Sequence, residues 1–183
     1  GRIFGLETSC RCRANMKVVL TGPECSGKTT LATQLAEHFG VSIAPEPARA
    51  HLQPEQVYQP SDLLQLTAVQ RRLEVKEPVR LQVFDTDLQT IYIWWQEKFG
   101  PAPEVLRRAY AEYSSQFDRR YLLCRPDIPW KYDPLRENPD DRDRLYELYR
   151  NDLNARGLVF GLIEGHADQR FKCAVDFIQR QSG

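Results

Sequence analysis

One methionine and three histidines stand in 183 residues, and basic and acidic residues balance at 25 each. Each scarcity excludes something. Zero net charge argues against a general binder of nucleic acid or of an anionic membrane surface, which needs a basic excess. No apolar run reaches the roughly eighteen residues of a membrane-spanning helix. His38, His51 and His166 form no sequence cluster, so none is assigned to a metal. The five cysteines, Cys10, Cys12, Cys25, Cys124 and Cys173, are odd in number and scattered, which is not a disulfide framework. Cys10 and Cys12 lack a second ligand pair at zinc spacing. A reduced, cytoplasmic protein is the simplest expectation. Neither an internal repeat nor a low-complexity tract is visible.

What is present is a phosphate-binding loop. Gly22-Pro23-Glu24-Cys25-Ser26-Gly27-Lys28-Thr29 fits the pattern G-x-x-x-x-G-K-S/T at every fixed position. The apolar run Met16 to Thr21 before it suits a buried strand. Leu31, Leu35 and Phe39 after it recur at spacings of four, as on one face of a helix. Gly22 and Gly27 permit backbone angles that aim successive N–H groups at an anion, and the helix start adds its positive end. Lys28 is placed for the β- and γ-phosphates, and the Thr29 hydroxyl for Mg²⁺. Thr30 completes the expected nucleotide-binding set, and ATP with Mg²⁺ is the expected cofactor.

Cys25 lies inside this loop, where a disulfide would obstruct a ligand, and Cys124 ends an apolar run expected in the core. Residues 1–15 carry two of the cysteines and three arginines with no clear period. They are expected to be leader or appended sequence without order, with Met16 as the native start. A real arm, or the tail of an upstream domain, is the alternative. Residues 16–183 are expected to form a single P-loop kinase domain.

Strand-like runs recur at 41–44, 80–84, 119–124 and 158–163, separated by helical patterns at 62–76, 88–99, 104–113, 140–154 and 167–179. Ser61 is available to cap the first of these, and Asp62 suits its first turn. The alternation predicts an α/β protein of the P-loop NTPase fold. Its central five-stranded parallel sheet has helices on both faces, and a lid. Ligands in such sheets sit beyond the C-terminal ends of the strands.

The remaining candidates all fall at those ends. Asp85 closes an apolar strand, where an acidic group supports Mg²⁺ or contacts a substrate hydroxyl; a helix cap is the alternative. Asp87 has the same two readings. Glu46 sits between Pro45 and Pro47, which disfavour helix and sheet pairing there. It is either the carboxylate that orients or deprotonates an acceptor hydroxyl, or a solvated loop glutamate. Arg49 is a surface arginine or a substrate contact. Between 125 and 142 a proline-dense stretch holds Arg125, Lys131, Arg136 and Arg142 with Trp130 and Tyr132. Lid arginines such as Arg136 and Arg142 stabilise a moving phosphoryl group and exclude water. A solvated charged face is the plainer alternative. Trp130 either anchors this stretch or stacks on a flat substrate ring, whereas Trp94 and Trp95 are expected to pack.

Taken in order, Gly-Pro-Glu-x-Ser-Gly-Lys-Thr, Glu46-x-x-Arg49, Phe84-Asp85-Thr86-Asp87, Pro129-Trp130 with Asp133-x-x-Arg136, Asp141-Arg142 and Asp168-x-Arg170-Phe171 resemble the ribosylnicotinamide kinase domain of NadR-type proteins. The resemblance runs from about Met16 to the C-terminus. It implies ATP-dependent phosphorylation of the 5′-hydroxyl of nicotinamide riboside. It also implies stacking of Trp130 on the nicotinamide ring, metal and ribose contacts for Asp85 and Asp87, and lid roles for Arg136 and Arg142. Two departures stand out. NadR proteins usually carry an adenylyltransferase domain upstream, for which residues 1–15 are too few. Pro47 stands where the family tends to carry an aromatic residue. The rivals are a deoxynucleoside or nucleotide kinase and, from another class, a P-loop ATPase switch that acts on a protein partner.

Overall fold

The computed structural model describes residues 15–44, 46–52, 59–74, 80–116, 118–132 and 140–182, excepting the side chains of 49, 50 and 74. The strands are β1 (Met16–Thr21), β2 (Ile43–Ala44), β3 (Leu81–Asp85), β4 (Arg119–Cys124) and β5 (Phe160–Ile163). They form one sheet in the order β2-β3-β1-β4-β5, and every pairing is parallel. The helices are α1 (Lys28–Phe39), α2 (Pro47–His51), α3 (Pro60–Glu74), α4 (Leu88–Phe99), α5 (Glu104–Ser114), α6 (Arg142–Ala155) and α7 (Ala167–Gln181).

Strand alternation decides which layer each residue joins. Val18 and Leu20 of β1, Val83 of β3 and Leu122 and Cys124 of β4 pack with Leu31 and Leu35 of α1 and Phe177 and Ile178 of α7. Val19, Phe84, Tyr121 and Leu123 face the other way, onto Ile93 of α4 and Tyr146, Tyr149 and Leu153 of α6. The interiors of β1, β3 and β4 are buried on both faces, as a covered parallel sheet requires. A third cluster joins α2, α3, α4 and α5 through Leu52, Leu66, Ile91, Trp95 and Tyr110. Burial pushes the Cys124 thiol up to about 12, which fits an inert core residue.

The chain leaves β1 toward β2 on one side and reaches β4 on the other, so the crevice beyond β1 is a topological switch point. Two local expectations change. Pro47 does not break the segment but opens α2, because proline fits the first helical position, where its missing N–H costs nothing. Ser61 lies inside α3, and the Asp62 carboxylate accepts the Gln59 N–H at 2.8 Å instead. Residues 1–14 and the lid centre at 133–139 lie outside the described residues.

Candidate active site

The phosphate loop leaves β1 and enters α1 through three positive-φ residues, Gly22 at 127°, Cys25 at 51° and Gly27 at 80°. A side chain at Gly22 would place its Cβ 2.6 Å from the Cys124 carbonyl oxygen, so the loop can press against the end of β4 only with glycine there. The Ser26 hydroxyl donates to Pro23 O at 2.8 Å and closes the loop. Lys28 Nζ donates to Gly22 O at 3.0 Å and Pro23 O at 2.6 Å, which keeps its ammonium against the loop. The first-turn amides of α1 have no acceptors within the helix. Loop and helix end therefore offer N–H dipoles and an ammonium to an anion.

Thr29 follows on the same helical turn, and its hydroxyl donates to Asp85 Oδ2 at 2.7 Å. Asp85 ends β3, which neighbours β1, and the sheet register sets Leu20 beside it. Its residue is 3% exposed, and its Oδ1 is buried with no hydrogen-bond partner. A buried carboxylate oxygen without a donor is costly, and a divalent cation would relieve that cost. Thr29 and Asp85 therefore fit Mg²⁺. Among the described residues no group of three or more His, Cys, Asp or Glu forms a fuller metal cluster. Thr86, the next residue, is β-branched, 3% exposed and held at φ 70°, with its N–H on Leu20 O at 3.0 Å. A threonine in the left-handed region is strained, and such strain gathers at functional sites.

A cavity of about 370 Å³ opens on the loop. One wall is the loop and helix start, residues 24–30. The facing wall is Glu46 and Ala48 of the β2–α2 corner with Thr90 and Trp94 of α4. Ile128, Pro129 and Lys131, which follow β4, form the rim. A smaller recess continues from Glu46, Thr90 and Trp94 toward Leu66 and Gln70 of α3. One space thus joins an anion site to a carboxylate and an aromatic ring.

The family model of an AAA domain, AAA_28, matches residues 17–170. The chain belongs to this family. No curated protein matches it. Among solved structures this AAA domain is similar to NadR in complex with NR, at 17% identity and a TM-score of 0.69, over 94% of this chain and 52% of NadR. It thus spans about half the length of that relative. It is also similar to deoxyadenosine kinase from M. mycoides with bound dCTP, at 13% identity and a TM-score of 0.62, over 90% of this chain and 100% of the kinase. A third is YorR from Bacillus subtilis in complex with phosphorylated GDP, at 16% identity and a TM-score of 0.60, over 91% and 97% of the two chains. The fold is that of P-loop nucleoside and nucleotide kinases. No helix among the described residues is long and apolar enough to cross a membrane.

The AAA domain brings Lys28, Thr29, Thr30, Glu46 and Asp85 to one end of its sheet, as expected. It treats three other candidates differently. Asp87 is 1% exposed. Its Oδ1 accepts the Gln89 N–H at 2.9 Å as the cap of α4, and its Oδ2 takes Arg119 Nη1 at 3.0 Å and the Tyr121 hydroxyl at 2.8 Å. Both oxygens serve the fold, which fits the capping alternative, and the residue also lines the smaller recess. Trp130 does not line the cavity; its ring lies 5.6 Å from the Arg142 guanidinium carbon. Arg142 does not line it either, and its Nη1 donates to Cys25 O at 3.1 Å and Ile128 O at 2.9 Å. Arg136 and the Arg49 side chain lie outside the described residues.

Thr90 is not among the sequence candidates; Trp94 packs against the α3–α5 cluster as expected but also lines the cavity, and Arg170 figures in the sequence only within a family motif. Arg170 is 5% exposed and reaches Ser26 O of the phosphate loop at 2.8 Å. A signal for it existed: an arginine among Phe171, Val175 and Ile178 on an amphipathic helix is a candidate for burial, and buried arginines have partners.

Proposed function

We propose that this chain is an ATP-dependent kinase that phosphorylates the hydroxyl of a nucleoside, with nicotinamide riboside as the preferred acceptor. The observation that carries the reading is the single cavity walled by the phosphate loop on one side and by Glu46, Thr90 and Trp94 on the other. An ATPase switch needs the first wall only. A kinase needs both, because donor and acceptor must meet with the reacting atoms about 3–3.5 Å apart.

The division of labour follows from position. The loop amides and Lys28 bind the β- and γ-phosphates. Thr29 and Asp85 would hold Mg²⁺, which when bound would neutralise charge developing on the transferred group. Glu46 orients the acceptor hydroxyl and accepts its proton as the oxygen bonds to the γ-phosphorus and ADP leaves. Trp94 presents a ring to the base or nicotinamide. Lys131 on the rim adds positive charge around the phosphoryl group.

A nucleoside panel tests the proposal. ATP consumption is measured with each nucleoside against a control without one. Nicotinamide riboside is expected to stimulate turnover most. Hydrolysis that no nucleoside stimulates sinks the kinase reading. A second reading, a deoxynucleoside kinase, draws on the likeness to deoxyadenosine kinase, which extends over that enzyme's whole length. It requires thymidine, cytidine or a purine deoxynucleoside to be phosphorylated while nicotinamide riboside is inert.

The two tryptophans are then separable. Trp94→Ala is expected to raise the acceptor KM about ten-fold or more, since ring stacking is worth about 1–3 kcal/mol, and to leave the KM for ATP nearly unchanged. Trp130→Ala is expected to raise it less. The opposite ranking in steady-state kinetics would return the ring contact to the lid tryptophan.

A further inference from the structure

Two segments far apart in the chain are stitched together beside the cavity. One is the phosphate loop at Cys25 and Ser26, and the other is 125–131, which follows β4 and forms the cavity rim. Three side chains make the stitches. Cys25 Sγ accepts the Lys131 N–H at 3.2 Å and donates to Pro129 O at 3.4 Å. Arg142, at the start of α6, spans Cys25 O and Ile128 O with one nitrogen. Arg170, on α7, spans Ser26 O at 2.8 Å, Arg125 O at 2.6 Å and the Asp127 carboxylate, and anchors its Nε on Gly165 O at 2.9 Å. Burial works against ionisation of Asp127, but the Gly165 N–H and the Arg170 guanidinium outweigh it and hold its carboxyl below the usual range.

Arg170 is the keystone of the three. Its four partners sit on three different segments, and its side chain is 6% exposed. A planar guanidinium with fixed donors can hold such partners in one geometry, which an ammonium cannot. All the loop groups it and Arg142 grip are carbonyl oxygens. Tying the carbonyls down on the outer side is what leaves the loop amides facing the anion.

We propose that Arg170 is a positioning residue that, with Arg142, couples the phosphate loop to the 125–131 rim, so that nucleotide binding sets the rim over which an acceptor enters. The role in acceptor binding rests on the kinase reading above; the coupling of the two segments does not. Coupling of this kind is reciprocal, so each substrate tightens the other by the same factor. Trp130, inside the rim segment and beside Arg142, reports it.

The experiment has two arms. In the first, saturating Mg²⁺–AMP-PNP is added to the full chain, and the Trp130 emission is isolated by subtracting the Trp130→Phe spectrum. The expected result is a shifted Trp130 emission in the native chain and none in Arg170→Gln, which also binds the nucleotide about five-fold or more weakly. Arg170→Lys restores part of the affinity and none of the shift. In the second arm, the acceptor Kd is compared with and without AMP-PNP, and Arg170→Gln is expected to abolish a coupling of about five-fold or more. A native chain whose Trp130 ignores saturating nucleotide overturns the proposal. So does a folded Arg170→Gln with the native shift. If Arg170→Gln does not fold, Asp127→Asn replaces it, and full retention of the shift there overturns the proposal too. If no nucleoside is an acceptor, the kinase reading falls, while the fluorescence arm still decides the role of Arg170.

Discussion

Asp85→Asn is expected to remove phosphoryl transfer and to leave the protein at least as stable. The two effects have one cause. In the native chain the Asp85 carboxylate is 3% exposed, and only one of its oxygens is satisfied, by the Thr29 hydroxyl. Burying an anion this way costs free energy, and the arrangement persists because the charge has a use. Asparagine keeps the shape and can still accept from Thr29 through its own oxygen, so the junction of β3 with α1 survives. It loses the charge proposed to hold Mg²⁺. We expect kcat to fall by about 10²–10³-fold, the scale of removing one preorganised electrostatic contact to a developing charge. The midpoint of thermal unfolding is expected to hold or rise. A discontinuous assay of product formation at saturating ATP and Mg²⁺, with thermal melts of the same preparations, measures both. Activity above a tenth of the native value would remove Asp85 from the metal site. Lost activity with a collapsed melt would make it structural.

The phosphate loop, the alternation of strands with helices and the place of Asp85 at a strand end were legible because each depends on neighbours in sequence. Four fixed loop positions follow a strand-like run, and Asp85 ends another. What was not legible depends on partners set by the fold. Ser26 and Arg170 are 144 residues apart, and nothing near either says that they meet. The spacing of Ile91, Tyr92, Trp94, Trp95 and Phe99 announces an aromatic helix, yet both tryptophans looked alike. Only the packing of α4 against α3 and α5 buries Trp95 in the core and sets Trp94 partly buried against it, where it also lines the cavity. Pro47 read as a breaker because proline is one inside a helix; at the first helical position it is a starter, and that difference is a matter of one residue of boundary. Trp130, read in sequence, stands between an anchor and a stacking platform. Its ring lies beside the arginine that grips the loop, which fits the anchor, and only the fold brings that arginine to it.

Asp87→Ala is expected to unfold the protein more than it alters any substrate constant. Asp87 looked like a twin of Asp85, two residues on and at the same strand end. Its environment is the reverse. Asp85 has a spare oxygen, whereas the Asp87 carboxylate accepts three hydrogen bonds, from Gln89 N, Arg119 Nη1 and the Tyr121 hydroxyl. Arg119 begins β4, two strands away across β1, and its side chain is fully buried. Removing Asp87 strands that guanidinium in the interior and uncaps α4 at the same stroke. Breaking a buried pair costs about 3–5 kcal/mol, and loss of a cap about 1 kcal/mol more. At roughly 2–4 °C per kcal/mol for a domain of this size, the melting midpoint is expected to fall by about 8–24 °C. Arg119→Met alone is expected to fall by a comparable amount, because it strands the carboxylate. Combining it with Asp87→Leu recovers part of the loss, since the double variant leaves no unpaired charge. Thermal melts of the two single variants and the pair form a double-mutant cycle. A native melting point for Asp87→Ala, with a raised acceptor KM, would overturn the structural role and return Asp87 to the substrate.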